Sequence, residues 1–238
     1  MTQPAADEFR LRDIWWVAYG PSIVTSIGHG AVLPALALRA RDLGADVATA
    51  AVVVAVLGLG MLAASLPAGA LIARVGERTA LLAVGVLDAI AMTFAALTTS
   101  VIGLSAAVFL SGMSWTVFLI ARQGFMIDVV PLHFRARAMS LLGGTYRIGV
   151  LIGPLIGAAL LKAFTLSSVF WLAGALSLAS ALMAQLMPDF GKESRVEARA
   201  TGHLSVWSVI VGHRRTLATL GVAIVIVMMS RSLRSSLL

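Results

Sequence analysis

The stretch Gly143–Ala158, GGTYRIGVLIGPLIGA, decides how this chain is read. It lies within an apolar run from about Ala138 to Leu161, long enough to cross a bilayer as a helix. Gly149, Gly153 and Gly157 recur at every fourth position, with Pro154 among them. On a helix, residues four apart share nearly one face, so these glycines form a stripe without side chains. In lipid, van der Waals packing drives helix association, and such a stripe lets a second helix come close. Arg147 falls on the opposite face, about nine residues into the run and hence roughly 14 Å deep at 1.5 Å per residue. A charge at that depth is costly and marks a functional position by default. Many membrane helices carry such stripes for packing alone, and that reading stays open beside the functional one.

Working outward, the composition agrees with a membrane setting. Of 238 residues, 59% are hydrophobic and 12% charged, about half the charge of an ordinary soluble domain. The mean hydropathy of +0.96 excludes a soluble globular fold. The net charge of +7 would suggest nucleic acid in a soluble protein, but here the positive residues sit in short segments between apolar runs. Nucleic acid is therefore not an expected partner. With no cysteine there is no disulfide framework, thiol chemistry or Cys-type metal site. Neither a metal nor a cofactor is expected.

In chain order, apolar runs cover about Ile14–Leu38, Val47–Ala73, Thr79–Leu97, Val101–Ile127, Ala138–Leu161 and Ser168–Met187. Asp128–Arg137 reads as a polar loop between the fourth and fifth runs. Pro188–Arg215 is a long basic segment, and a seventh apolar run begins near Thr216. A cytoplasmic N-terminus puts Arg10, Arg12, Arg74, Arg78, Arg135, Arg137 and the basic segment on one side. Only Arg39, Arg41 and Lys162 then remain on the other. This asymmetry predicts a multi-pass protein of the cell (inner or plasma) membrane with its N-terminus inside.

The sequence G-x-x-x-G-P-x-x-G at Gly149–Gly157 resembles the fifth-helix motif of major facilitator superfamily exporters, often called the antiporter motif. The family pattern ends in Gly-Gly, where this chain has Gly157-Ala158, and its leading glycine is Ser140 here. Gly69–Arg78, GALIARVGER, resembles the loop signature G-x-x-x-D-(R/K)-x-G-(R/K)-(R/K) of the same superfamily. Gly69, Arg74, Gly76 and Arg78 match, while Ala73 replaces the acid and Glu77 a base. The resemblance implies a two-glycine turn whose charges latch cytoplasmic helix ends, with Asp128 pairing Arg74 or Arg78, and with Ala73 in place of the acid a weakened or rewired latch; charges that serve topology alone are the alternative. The fourth run resembles the family around Ser111-Gly112, but Val108 stands where the drug–proton antiporter branch has an arginine.

What this resemblance implies is an all-α polytopic membrane protein. Residues 1–187 would form the six-helix N-terminal half, built as two inverted three-helix repeats. Residues 188–215 would be a cytoplasmic basic linker, and 216–238 the truncated start of the second bundle. No sequence similarity between runs 1–3 and 4–6 is apparent, so the repeat is an implication of the family alone.

Several side chains are candidates for a substrate or proton pathway. Asp88 is the one acid inside a span, and either Arg147 or Arg122 could neutralise it, with family layout favouring Arg122. Arg122 could instead reach the membrane surface. His29, between two glycines, has a titration range suited to proton exchange or is simply packed. Trp115 and Tyr146 could line an apolar cavity.

The expected function is secondary active transport by alternating access. The resemblance implies a proton-coupled exporter of small amphipathic or apolar compounds, whose partners are that substrate, protons, lipid and a missing six-helix half. A non-transporting six-helix scaffold or receptor is the alternative. An intramembrane enzyme lacks support, because no H-E-x-x-H, G-x-S-x-G or acidic pair within one span is present.

Overall fold

Six helices follow one another with scarcely any chain between them. The computed structural model describes residues 15–186, with α1 at Trp15–Asp42, α2 at Val47–Val75 and α3 at Glu77–Leu97. Then come α4 at Val101–Val129, α5 at Leu132–Ala163 and α6 at Ser167–Gln185. All six are long and apolar enough to cross a membrane. The seventh run and the basic segment expected at 188–215 lie outside the described residues.

Local chemistry sets the joints. Asp46 caps α2 by accepting the Thr49 backbone N–H at 2.8 Å, and Ser100 caps α4 through Gly103 at 3.0 Å. Between α2 and α3 the turn is Gly76 alone, at φ +86°, a backbone conformation that favours glycine. The expected two-glycine turn is thereby corrected, since Gly69 lies within α2. The polar loop expected at Asp128–Arg137 is corrected as well. Asp128 belongs to α4, and α5 starts at Leu132, leaving only Val130 and Pro131 between them. Pro131 bars helix through its own position but is well suited to begin one. The basic residues there are polar because of where the helix starts, and they do not break it.

The helices pack as α1 with α5, α2 with α4, α3 with α6, α3 with α4 and α1 with α6. Exchanging α1 with α4, α2 with α5 and α3 with α6 carries this set of pairs onto itself. That is the pairing of two three-helix repeats related by a two-fold axis. The glycines repeat the relation. Gly60 of α2 and Gly112 of α4 each meet the other helix's backbone, at the Phe109 and Leu57 carbonyls respectively. Gly153 of α5 and Gly30 of α1 do the same across the α1–α5 seam. Gly85 of α3 faces Ala181 and Ser177 of α6, and Gly174 of α6 faces Ala89 of α3. Close backbone approach at small residues is what holds helices together where apolar surface gains nothing by leaving lipid.

At one end of the bundle, Arg39 joins three elements. Its guanidinium donates to the carbonyls of Ala96 at 3.2 Å and Thr98 at 3.0 Å, and pairs with Asp42 at 2.9 Å. Ser167 of α6 donates to Ala96 as well, at 3.2 Å. The last carbonyls of α3, which have no partner within their own helix, are thus satisfied by α1 and α6.

Candidate functional site

Ser22, Thr25, Ser26 and His29 are spaced by three and four residues, so α1 carries a polar stripe along one face. That face turns inward, with Ser22, Thr25 and Ser26 buried. It looks onto a cavity of about 590 Å³ walled by α1, α2, α4 and α5. Trp115, Phe118, Met139 and Tyr146 give this cavity its apolar wall, and Arg122 and Gln123 its polar end. The volume lies in the range of small-molecule sites, as does an apolar wall with a few convergent polar groups.

Trp115 is the hinge of the arrangement. Its indole stacks on the His29 imidazole, with centroids 4.1 Å apart and planes 10° from parallel. Tyr146 stands 5.5 Å from it and Phe118 5.8 Å. Three residues singled out separately in the sequence, Trp115, Arg122 and Tyr146, therefore line one cavity, and a fourth, His29, joins them by stacking on Trp115.

Arg122 does not reach toward the membrane surface. It is 1% exposed, with Nε donating to Ser22 Oγ at 3.2 Å and its guanidinium carbon 5.6 Å from the Phe125 ring centre. The surface-reaching alternative is thereby corrected. So is the pairing of Asp88 with Arg122 or Arg147. Asp88 accepts hydrogen bonds from Ser111 of α4 and Ser177 of α6, both at 2.5 Å. Among the described residues no lysine or arginine reaches ion-pair distance of it, the one such pair being Arg39–Asp42. Two small cavities flank Asp88. One is shared with His29 and Ser111, the other with Thr25, Trp115 and Ser177. The serine clamp escaped the sequence reading, because single serines on distant helices give no spacing signal. The α1 stripe could have been found from its helical spacing.

The glycine stripe admits a second helix closely. Gly149, Gly153 and Gly157 are buried against Ser26, Ile27, Gly30 and Ala31 of α1. The second helix that the stripe admits is thus α1, in a packing seam within this bundle. Pro154, beside the stripe, is half-buried. Arg147 is exposed, near the middle of α5 and away from that seam.

At the loop signature, Arg74 and Asp128 are both exposed and make no ion pair among the described residues. Arg78 donates to Gln185 of α6 at 3.3 Å. Among the described residues Asp128 thus pairs with neither arginine, and an arginine–amide contact ties α3 to α6.

Comparison with known proteins agrees with this architecture. Residues 22–236 match the Major Facilitator Superfamily. An uncharacterized MFS-type transporter, YfkF of Bacillus subtilis (strain 168), is 24% identical over 156 residues, covering 66% of this chain. The matched region is 40% of that relative's length. A family match across nearly all of the sequence, on six membrane-length helices with two-fold pairing, makes this multi-pass membrane chain a member of the Major Facilitator Superfamily.

Proposed function

We propose that the chain forms the N-terminal half of a secondary active transporter working by alternating access. In this reading it is a proton-coupled exporter of small amphipathic or apolar compounds in the cell membrane. A second six-helix bundle completes the cavity, and the N-terminus is cytoplasmic. The observation that carries the reading is the cavity of about 590 Å³ between α1, α2, α4 and α5. An aromatic and methionine wall suits an apolar body, while Ser22, Ser26, Gln123 and Arg122 suit a polar head. Export is supported by the likeness of α5 to the antiporter motif.

Coupling to protons finds its support in Asp88 and His29, which line one small cavity inside the bundle. A carboxylate held by two hydroxyls, with no basic partner at ion-pair distance among the described residues, can take its compensating charge from a proton. His29 contacts Trp115, which also lines the larger cavity, so occupancy there and proton exchange at Asp88 share a neighbour.

The test is flux in proteoliposomes holding the full-length transporter. An imposed pH gradient should drive uptake or release of a fluorescent amphipathic dye, and Asp88→Asn should abolish that dependence at equal protein content. Dye movement indifferent both to the gradient and to Asp88→Asn would refute proton coupling.

A further inference from the structure

The charge of the larger cavity is one-sided. Among the described residues that line it, Arg122 is the one charged group and none is a carboxylate. A guanidinium keeps its proton in proteins, so this charge is permanent. It is also held in place. The Arg122 Nε donates to Ser22 Oγ of α1 at 3.2 Å, and the guanidinium carbon lies 5.6 Å from the Phe125 ring centre. Arg122 is buried among apolar walls, where a charge is felt more strongly than in water. Asp88, the acid inside the bundle, is not part of this lining. Trp115 and Phe118 line both the larger cavity and the small one beside Asp88, so these rings form the wall common to the two.

A charged head group entering here gives up water, and an opposite charge offsets that cost. To a cationic head the lining offers the reverse, a like charge beside it. Aromatic faces can hold a cation, but His29 already covers one face of Trp115, with centroids 4.1 Å apart and planes 10° from parallel. A carboxylate matches the planar fork of an arginine, and Ser22 and Gln123 are neutral polar groups beside it. We propose that Arg122 sets the charge of what the cavity takes, and that its ligands are small amphipathic organic anions, an apolar body carrying a carboxylate or a similar head. A volume of about 590 Å³ suits one drug-sized body. The proposal rests on the reading of this cavity as the transport site and adds the sign of the substrate's charge.

Equilibrium binding with three matched probes tests this. The full-length protein in nanodiscs of zwitterionic lipid, with empty discs as the blank, is titrated with a dansyl-tagged undecanoate, its methyl ester and the corresponding quaternary amine. Energy transfer from tryptophan to dansyl is the readout, because Trp115 lines the cavity. The expected result is saturable binding in which the carboxylate is about tenfold or more tighter than the ester, and the amine is weakest. Arg122→Gln should cost the carboxylate that advantage while sparing the ester, whose binding also reports that the variant is folded. Arg122→Lys should keep part of the preference, having the charge without the fork. Gln123→Glu, at an exposed position on the same lining, leaves Arg122 in place and should weaken the carboxylate and strengthen the amine. Ester or amine binding as tightly as the carboxylate would overturn the proposal and leave the transport reading standing. A carboxylate preference that survives both Arg122→Gln and Gln123→Glu would overturn it too. So would displacement of the carboxylate by phosphatidylglycerol added to the discs, which would make the occupant a two-chain lipid. Saturable binding of none of the three would overturn both readings.

Discussion

Gly153 of α5 and Gly30 of α1 meet backbone to backbone. A Cβ placed on Gly153 would stand 2.8 Å from the Gly30 carbonyl carbon and 2.5 Å from the Ile27 carbonyl oxygen. Neither neighbour can yield, because both are main chain. Four residues on, the seam loosens, and a Cβ at Gly157 would lie 3.3 Å from the Ala31 carbonyl oxygen.

That gradient makes a graded prediction. Gly153→Ala should destabilise the bundle by about 1–3 kcal/mol, the usual cost of overpacking, and Gly157→Ala by much less. Gly153→Leu should reduce the amount of folded protein in the membrane before any effect on function can be read. Thermal midpoints of the purified variants measure this. Equal, negligible shifts for Gly153→Ala and Gly157→Ala would contradict the seam.

Arg39 should matter for stability well beyond an exposed ion pair. Arg39→Ala removes donors from two carbonyls at the end of α3, and should cost about 1–3 kcal/mol. Asp42→Ala touches only the pair with Arg39, and should cost under about 1 kcal/mol. If the two variants melt alike, the carbonyl contacts contribute nothing.

The orientation inferred from Lys and Arg can be checked with thiols, since the chain has no native cysteine. Thr99 is exposed at the α3–α4 turn and, unlike Ser100, caps no helix. Ala73 is exposed near the α2–α3 turn. An impermeant reagent outside intact cells should label Thr99→Cys and miss Ala73→Cys. The reverse pattern would invert the topology.

Trp115 should dominate the affinity of the larger cavity. Trp115→Ala removes an aromatic face that His29, Tyr146 and Phe118 surround, and should weaken binding of an amphipathic dye about tenfold or more. Trp115→Phe should keep most of it. Dye titration with fluorescence anisotropy provides the measurement, and unchanged affinity in Trp115→Ala would move the binding site elsewhere.

Much of the fold was legible because lipid imposes one rule: a span must be apolar throughout its length. Where that rule stops, so did legibility. Leu132–Arg137 reads as loop by polarity, yet it is the first turns of α5, since polar residues at a membrane edge stay helical when no breaker intervenes. The two-fold repeat was invisible as sequence similarity, because it resides in where glycines permit backbone contact, Gly60 with Gly112 and Gly30 with Gly153. His29, Trp115, Arg122 and Tyr146 stood out as single residues, but the meeting of the last three at one cavity, with His29 stacked on Trp115, depends on helix rotation. Asp88 was conspicuous as an acid in a span. Its partners were not, since a serine hydroxyl can hydrogen-bond a carboxylate while carrying no charge, and so leaves no mark in a charge pattern.

The most direct test of the central claim, that the cavity between α1, α2, α4 and α5 is a transport site open to each side in turn, uses Gly143. It lines the cavity, and a Cβ there would meet nothing within 4 Å, so Gly143→Cys adds a thiol without strain. Labelling by an impermeant reagent is measured from each face of oriented vesicles containing the full-length protein, with and without an amphipathic compound. The expected result is labelling from both faces, in amounts that shift with the transmembrane pH gradient and fall when the compound is bound. Labelling from one face only, unchanged by gradient and compound, would mean a fixed pocket and would contradict alternating access.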